Sequence, residues 1–233
     1  MTFLLMNLGH SLPKRVNFII LHKLNFYYMN ENKNKCREVK LAQALNGFMY
    51  NFGLEDFYSQ LSVDRILQLK QILSDINNII TLRVTRLFVD FLLHEGIIDE
   101  CEYEEINNDV NSTDVNTNGY DVRYDKKKII AEVKCNIPVN DNSYGAAQEH
   151  SIIKDINGLL SGDGKNKVDI SEFDLNLYYK FMVVLHTDKT KEAMRKIINK
   201  INNPSIDSPV VEYSKKQCLD KSKVYIVYID YTK

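Results

Sequence analysis

The sequence predicts a mixed α/β (α+β) fold: a mixed central sheet flanked by helices, preceded by a mostly helical N-terminal extension. Three observations carry that expectation. Apolar residues recur at helical spacing as far as Gly96 and with a period near two beyond it. Two segments, 177–186 and 223–231, are apolar on both faces, as buried strands are. Helical patterns with start and stop signals alternate with the strand-like runs, the order of a sheet covered by helices. The length of 233 residues suits one large domain or a compact domain with an extension.

An apolar run at 16–21 is followed by a polar, turn-prone stretch at 30–35, read as a loop. Over 37–53, Val39, Leu41, Leu45, Phe48 and Met49 keep helical spacing. Ser62 opens a second helix on Ile66, Leu67, Ile72, Leu73 and Ile76, with Asp64 in its first turn. A third helix, 80–94, is stopped by Gly96. The pattern then predicts a strand at 97–106, a polar loop at 107–118, and two short strands at 119–124 and 128–135. A loop through 138–143 leads to a helix at about 145–160 and the strand at 177–186. Thr187 or Asp188 caps an amphipathic helix that runs to Asn202, and the strand at 223–231 closes the chain. The expected division is a helical extension at 1–79 and an α/β core at 80–233.

Composition excludes several classes. With 30 Lys+Arg against 31 Asp+Glu the chain is no histone-like binder, so any nucleic-acid role must rest on a local basic surface. No apolar run approaches the roughly eighteen residues that a spanning helix needs. Residues 1–6 are apolar but lack a charged n-region and a full h-region, so no signal peptide is expected. With four scattered cysteines, this points to the cytoplasm. Cys36, Cys101, Cys135 and Cys218 form no CxxC pair and the five histidines show no ligand spacing, so a structural zinc is not expected. The chain has no internal repeat, Ser-His-Asp arrangement, P-loop or Rossmann glycine pattern.

The segment that carries chemistry is 119–135, Gly-Tyr-Asp-Val-Arg-Tyr-Asp-Lys-Lys-Lys-Ile-Ile-Ala-Glu-Val-Lys-Cys. With a turn at 125–128, Tyr124 pairs with Ile129, Val122 with Ala131, Tyr120 with Val133 and Asp121 with Glu132. One face of this hairpin, Tyr120, Val122, Tyr124, Ile129, Ala131, Val133 and Cys135, is wholly apolar and must face the core. The other carries Asp121, Arg123, Ile130, Glu132 and Lys134. Opposed Asp121 and Glu132 would stand about 5 Å apart at Cβ and repel. A hard divalent cation such as Mg²⁺ would relieve that clash, and Lys134 on the same face could reach a water or phosphate oxygen beside it.

Asp121, ten residues, then Glu132-Val133-Lys134 resembles the PD-(D/E)xK nuclease superfamily, which includes many type II restriction endonucleases. The resemblance covers roughly residues 80–187 and implies a restriction-endonuclease-like core of helix, three strands, helix and strand. It implies that Asp121, Glu132 and the Val133 carbonyl hold Mg²⁺, with Mn²⁺ able to substitute, and that Lys134 orients or deprotonates the attacking water. The motif's Pro is Tyr120 here. Asp90 and Glu95 are candidates for an additional acid from the first core helix, and Gln148 and Lys154 for contacting DNA or positioning water. Five acid-x-Lys tripeptides occur, at Glu31, Glu38, Asp125, Glu132 and Asp163. Only Glu132 lies in an apolar alternating strand with an acid aligned beside it.

The expected activity is Mg²⁺-dependent hydrolysis of double-stranded DNA by a type II restriction endonuclease acting as a homodimer, with segment 1–96 supplying dimerisation or DNA grip. A structure-selective or repair nuclease with the same site, and a non-catalytic DNA-binding module, are the rival expectations. Lys126, Lys127 and Lys128 at the hairpin tip are read as a solvated turn, whereas His150, beside Gln148 and Lys154, and Arg83 and Arg86 on the first core helix are open to either DNA contact or plain surface exposure. Tyr178 and Tyr179 are expected in or beside the sheet, and Cys135 as an inert core thiol.

Overall fold

The computed structural model describes residues 33–112, 119–138, 142–162, 173–202 and 208–231. The apolar run at 16–21 and residues 30–32 lie outside them, and residues 33–35, expected in the loop, begin the first helix instead. The chain forms two compact units, Met1–Lys70 and Gln71–Lys233.

In the first unit, α1 (Lys33–Tyr50) ends at Gly53, whose φ of 76° is the left-handed conformation glycine adopts without strain. A 3-10 turn, Phe57–Gln60, folds back on α1: Tyr58 N–H donates to Asn46 Oδ1 at 2.7 Å and Tyr58 Oη donates to Glu38 Oε1 at 3.2 Å.

α2 (Val63–His94) is one continuous helix where the sequence suggested two. Only Asn77 and Asn78 interrupt the apolar pattern, and asparagine in a helix interior costs a fraction of 1 kcal/mol. The expected strand at 97–106 is instead α3 (Glu100–Ser112). The reason is a reciprocal cap. Asp99 Oδ1 accepts from Glu102 N–H at 3.0 Å, and Glu102 Oε2 accepts from Asp99 N–H at 2.9 Å. Beyond the cap, Tyr103, Ile106 and Val110 recur at helical spacing and pack on the core.

β1 (Val122–Tyr124) and β2 (Ile129–Lys134) form the hairpin, and its register is the expected one: Val122 with Ala131, Arg123 with Ile130, Tyr124 with Ile129. α4 (Ala146–Ser161) crosses to β3 (Tyr179–Leu185), which pairs parallel with β2. α5 (Asp188–Ile201) is capped by Thr187, whose Oγ1 accepts from Thr190 N–H at 3.1 Å. A short strand the sequence did not signal, β4 (Val210–Glu212), lies at the edge beside β5 (Val224–Ile229). The sheet order is β1-β2-β3-β5-β4, antiparallel at β1 and parallel elsewhere, so the fold is mixed α/β.

Side chains alternate across the sheet into two apolar layers. Ile129, Ala131 and Val133 meet Val84, Phe88 and Leu92 of α2 on one face. Ile130, Met182 and Ile226 meet Ile152 and Ile156 of α4 and Met194 of α5 on the other. Helices therefore cover both faces of a largely parallel sheet, as such sheets require. None of the described helices is long and apolar enough to cross a membrane.

Candidate active site

The hairpin is asymmetric. β1 spans three residues and β2 six, so β2 continues past the point where β1 begins. Residues 119–121 form bends rather than strand, entered through Gly119 at a φ of 79°. This breaks the expected alternation at Tyr120, which packs with Ile130, Ile152 and Phe173 instead of with Val122. Its hydroxyl donates to the Gly158 carbonyl at 3.2 Å.

Asp121 consequently lies outside the ladder and is not paired with Glu132. Its carboxylate turns inward, and Oδ2 accepts from the Val133 N–H at 2.7 Å. The acid thus takes the place of the rung that Tyr120 would have made with Val133. In a strand, the N–H and C=O of one residue leave on the same side, so the Val133 carbonyl also faces this uncovered edge.

Glu132 is 5% exposed, an uncommon burial for a carboxylate. Its charge is felt by Tyr120, whose hydroxyl is pushed up to about 12, by burial first and by Glu132 second. Lys134, two residues along on the same face, forms a close ion pair with Asp155 of α4 and donates to Ser151 Oγ at 3.3 Å. Both partners of the pair are largely shielded, at 18% and 17% side-chain exposure. The structure thus brings Asp121, Glu132, Val133 and Lys134 together at the carboxyl end of β2, and adds Asp155 and Ser151.

Those two residues escaped the sequence reading. Ser151 and Asp155 stand four apart on one face of α4, with Gln148 a turn earlier on the same face. That spacing is visible in the sequence, but nothing local says the face lies over Lys134. Gln148 itself closes the start of α4: its Oε1 accepts from Gly145 N–H at 3.3 Å and its Nε2 donates to the Ile137 carbonyl at 3.4 Å. Lys154 and His150 are exposed.

The first core helix supplies neither expected acid at this point. The residue of α2 that meets the motif's end is Thr81, which hydrogen-bonds the Cys135 thiol. Phe88 lies further back, its ring 5.4 Å from that of Phe181, which is level with Ala131. Asp90, nine residues beyond Thr81, is therefore about 13 Å along the helix from that level. It accepts from Tyr103 Oη at 2.8 Å. Glu95, past the helix end, accepts from Tyr213 Oη at 2.8 Å and Lys216 N–H at 3.0 Å. Cys135 is half-buried, and burial pushes its thiol up, away from reactivity.

The hairpin tip is exposed, as expected, and its lysines make surface contacts. Lys126 pairs with Glu105 at 2.7 Å and Lys127 with Glu102 at 3.3 Å, both on α3. Lys128 stands over the Tyr178 ring at 5.1 Å. Tyr178 is buried and donates to Asp125 at 2.6 Å. Arg83 donates to Tyr231 Oη at 2.7 Å and Arg86 to Asn111 Oδ1 at 2.9 Å.

Among the described residues, no group of three or more His, Cys, Asp or Glu is gathered as a metal cage. The donors at the β2 edge are two carboxylates and a backbone carbonyl, with neither sulfur nor imidazole. That oxygen-only set suits a small hard cation that keeps most of its waters. Compared with known protein families, characterised proteins and solved structures, the chain matches none.

Proposed function

We propose that this chain is a metal-dependent phosphodiesterase, its site built at the carboxyl end of β2. More particularly, we read it as a type II restriction endonuclease that cleaves double-stranded DNA with Mg²⁺, or with Mn²⁺ in its place. The observation that carries this reading is the 2.7 Å hydrogen bond from Val133 N–H to Asp121, which anchors one acid beside the backbone between Glu132 and Lys134. Asp121, Glu132 and the Val133 carbonyl would hold the cation. When bound, it would supply Lewis acidity and a water activated at neutral pH. Lys134, held in place by Asp155 and Ser151, sets a positive charge where negative charge develops on the phosphoryl oxygens.

The order α2, β1, β2, α4, β3 supports a restriction-endonuclease-like core, with one departure. Among the described residues that core's first strand has no counterpart, because α3 occupies its place in the chain. The reading therefore leans on the site more than on the strand count.

Incubation of a long duplex with Mg²⁺ tests it. Discrete fragments are expected, with none formed in excess chelator, and Mg²⁺ at about 100 times its Kd should stabilise the fold by about 2.7 kcal/mol. Full cleavage in chelator would refute the metal mechanism. Cleavage confined to junctions or damaged sites would replace restriction with a structure-selective role.

A further inference from the structure

Two carboxylates lie within reach of the Lys134 ammonium. Alternation puts Glu132 and Lys134 on the face of β2 that α4 covers, the face on which Ile130 meets Ile152 and Ile156. Two residues apart on one strand face, their Cβ atoms stand about 7 Å apart, within the joint reach of a lysine and a glutamate side chain. The helix offers the other partner. Ser151 and Asp155 stand four apart on one side of α4, and the ammonium meets both, donating to Ser151 Oγ at 3.3 Å and closely paired with Asp155. At 18% and 17% side-chain exposure, this pair is screened from most of the water that makes surface pairs weak.

We infer that Asp155 is a positioning residue for the metal site: by holding the Lys134 ammonium against α4, it keeps that charge from taking the cation's place on Glu132. The inference rests on the nuclease reading and adds to it a residue that acts only through Lys134. Paired with Asp155, Lys134 forms a net neutral unit, so it brings no net positive charge to the edge where Mg²⁺ would sit. Without Asp155 the same ammonium would be largely shielded and would have lost its counter-charge, an arrangement that proteins avoid. It would then swing to Glu132, the acid on its own strand face, and Mg²⁺ would have to displace a lysine. A purely structural pair makes a different forecast. Its loss would loosen α4 from β2 and lower stability, while the metal affinity of the folded protein stayed the same. An acid acting directly makes a third: it favours the cation through its own charge whether or not Lys134 is there.

Mg²⁺ binding by calorimetry on the full chain, with each variant's folding checked by circular dichroism, tests it. Asp155→Asn should bind Mg²⁺ about tenfold more weakly than the wild type. Asp155→Ser, which lets water reach the ammonium if the amide variant does not fold, should show the same loss. Asp155→Glu keeps the counter-charge and should bind within about threefold of wild type. The decisive comparison is the cycle with Lys134→Met. In that background Asp155→Asn should change Mg²⁺ affinity by less than about threefold, because no ammonium is left to compete. Asp155→Asn and Asp155→Ser variants that bind Mg²⁺ as the wild type does overturn the inference. So does an undiminished loss in the Lys134→Met background, which makes Asp155 act through its own charge. A wild type that binds no Mg²⁺ overturns the nuclease reading and this inference together. A wild type that binds Mg²⁺ and cleaves DNA leaves that reading standing whatever the Asp155 variants do.

Discussion

Removing the Asp121 side chain separates two opposite expectations for the hairpin. If Asp121 and Glu132 stood directly opposite, Asp121→Ala would relieve a like-charge pair and stabilise the fold by about 0.2–1 kcal/mol. The structure instead puts Asp121 outside the ladder, with its carboxylate on the Val133 N–H at 2.7 Å. Truncation then strands a part-buried amide that has lost a charged acceptor, a cost of about 1–3 kcal/mol. Because Asp121 is exposed and water can enter, the lower half of that range applies. Even after subtracting some relieved repulsion, the loss wins, at about 1 kcal/mol net. For a chain of this size that is a fall of roughly 2–4 °C in midpoint. Asp121→Asn keeps an oxygen acceptor and should lose under about 0.5 kcal/mol, while losing metal affinity as completely as the alanine variant. Differential scanning calorimetry without metal measures the first effect. Hydrogen exchange at the Val133 amide localises it, with exchange about fivefold faster in Asp121→Ala. An alanine variant more stable than wild type, with Val133 protection unchanged, would refute the reasoning.

Three further outcomes are expected. Glu132→Gln should abolish metal binding by calorimetry, whereas Lys134→Ala should keep the metal and lose about a hundred- to ten-thousand-fold in single-turnover cleavage, with DNA affinity by gel shift little changed. A thiol reagent should label the exposed Cys101 and Cys218 well before Cys135, and Cys135→Ala should retain activity per folded molecule. Glu95 is held below the usual carboxylate range, chiefly by the Lys216 N–H and then by the Tyr213 hydroxyl. Its depressed value means its contribution to stability is present at neutral pH and is lost as pH falls through the carboxylate range, so Glu95→Gln should flatten the acid limb of a midpoint-versus-pH curve.

What the sequence made legible was local. The β1–β2 register follows from a period of two around a short turn, because a slip of one residue would send Ile129 and Ala131 to the wrong face. The cap on α5 was readable for the same reason, as Thr187 and Thr190 are neighbours. The strand expected at 97–106 gives way to a helix because of a local capping signal. Asp99-Glu-Cys-Glu102 is a capping sequence, and it starts a helix whose apolar positions also fit a shorter alternating pattern. Tyr120 failed differently: Gly119 bends the chain just before β1, and alternation cannot be extrapolated across a bend. Asp155 was not legible at all. Its pairing with Lys134 depends on how α4 lies over β2, which no spacing within α4 encodes.

The place of the motif in the sheet also has a physical logic. β2, β3, β5 and β4 run parallel, so their carboxyl ends share one rim, and Glu132, Val133 and Lys134 lie at the end of β2 on that rim. In open α/β sheets ligands bind outside the carboxyl ends of the strands. On the proposed reading, the brevity of β1 is what leaves room for a ligand. Had the ladder run on to Tyr120, its carbonyl would have taken the Val133 N–H and left no room for a side chain at that edge. The bend at 119–121 removes that rung, and Asp121 fills it with a charged acceptor. The acid is thereby fixed by the backbone of the strand that carries the other two polar residues, so its position does not depend on either of them. Replacing Glu132 or Lys134 should therefore leave Asp121 in place, which is why their variants can report on chemistry while those of Asp121 report on folding as well.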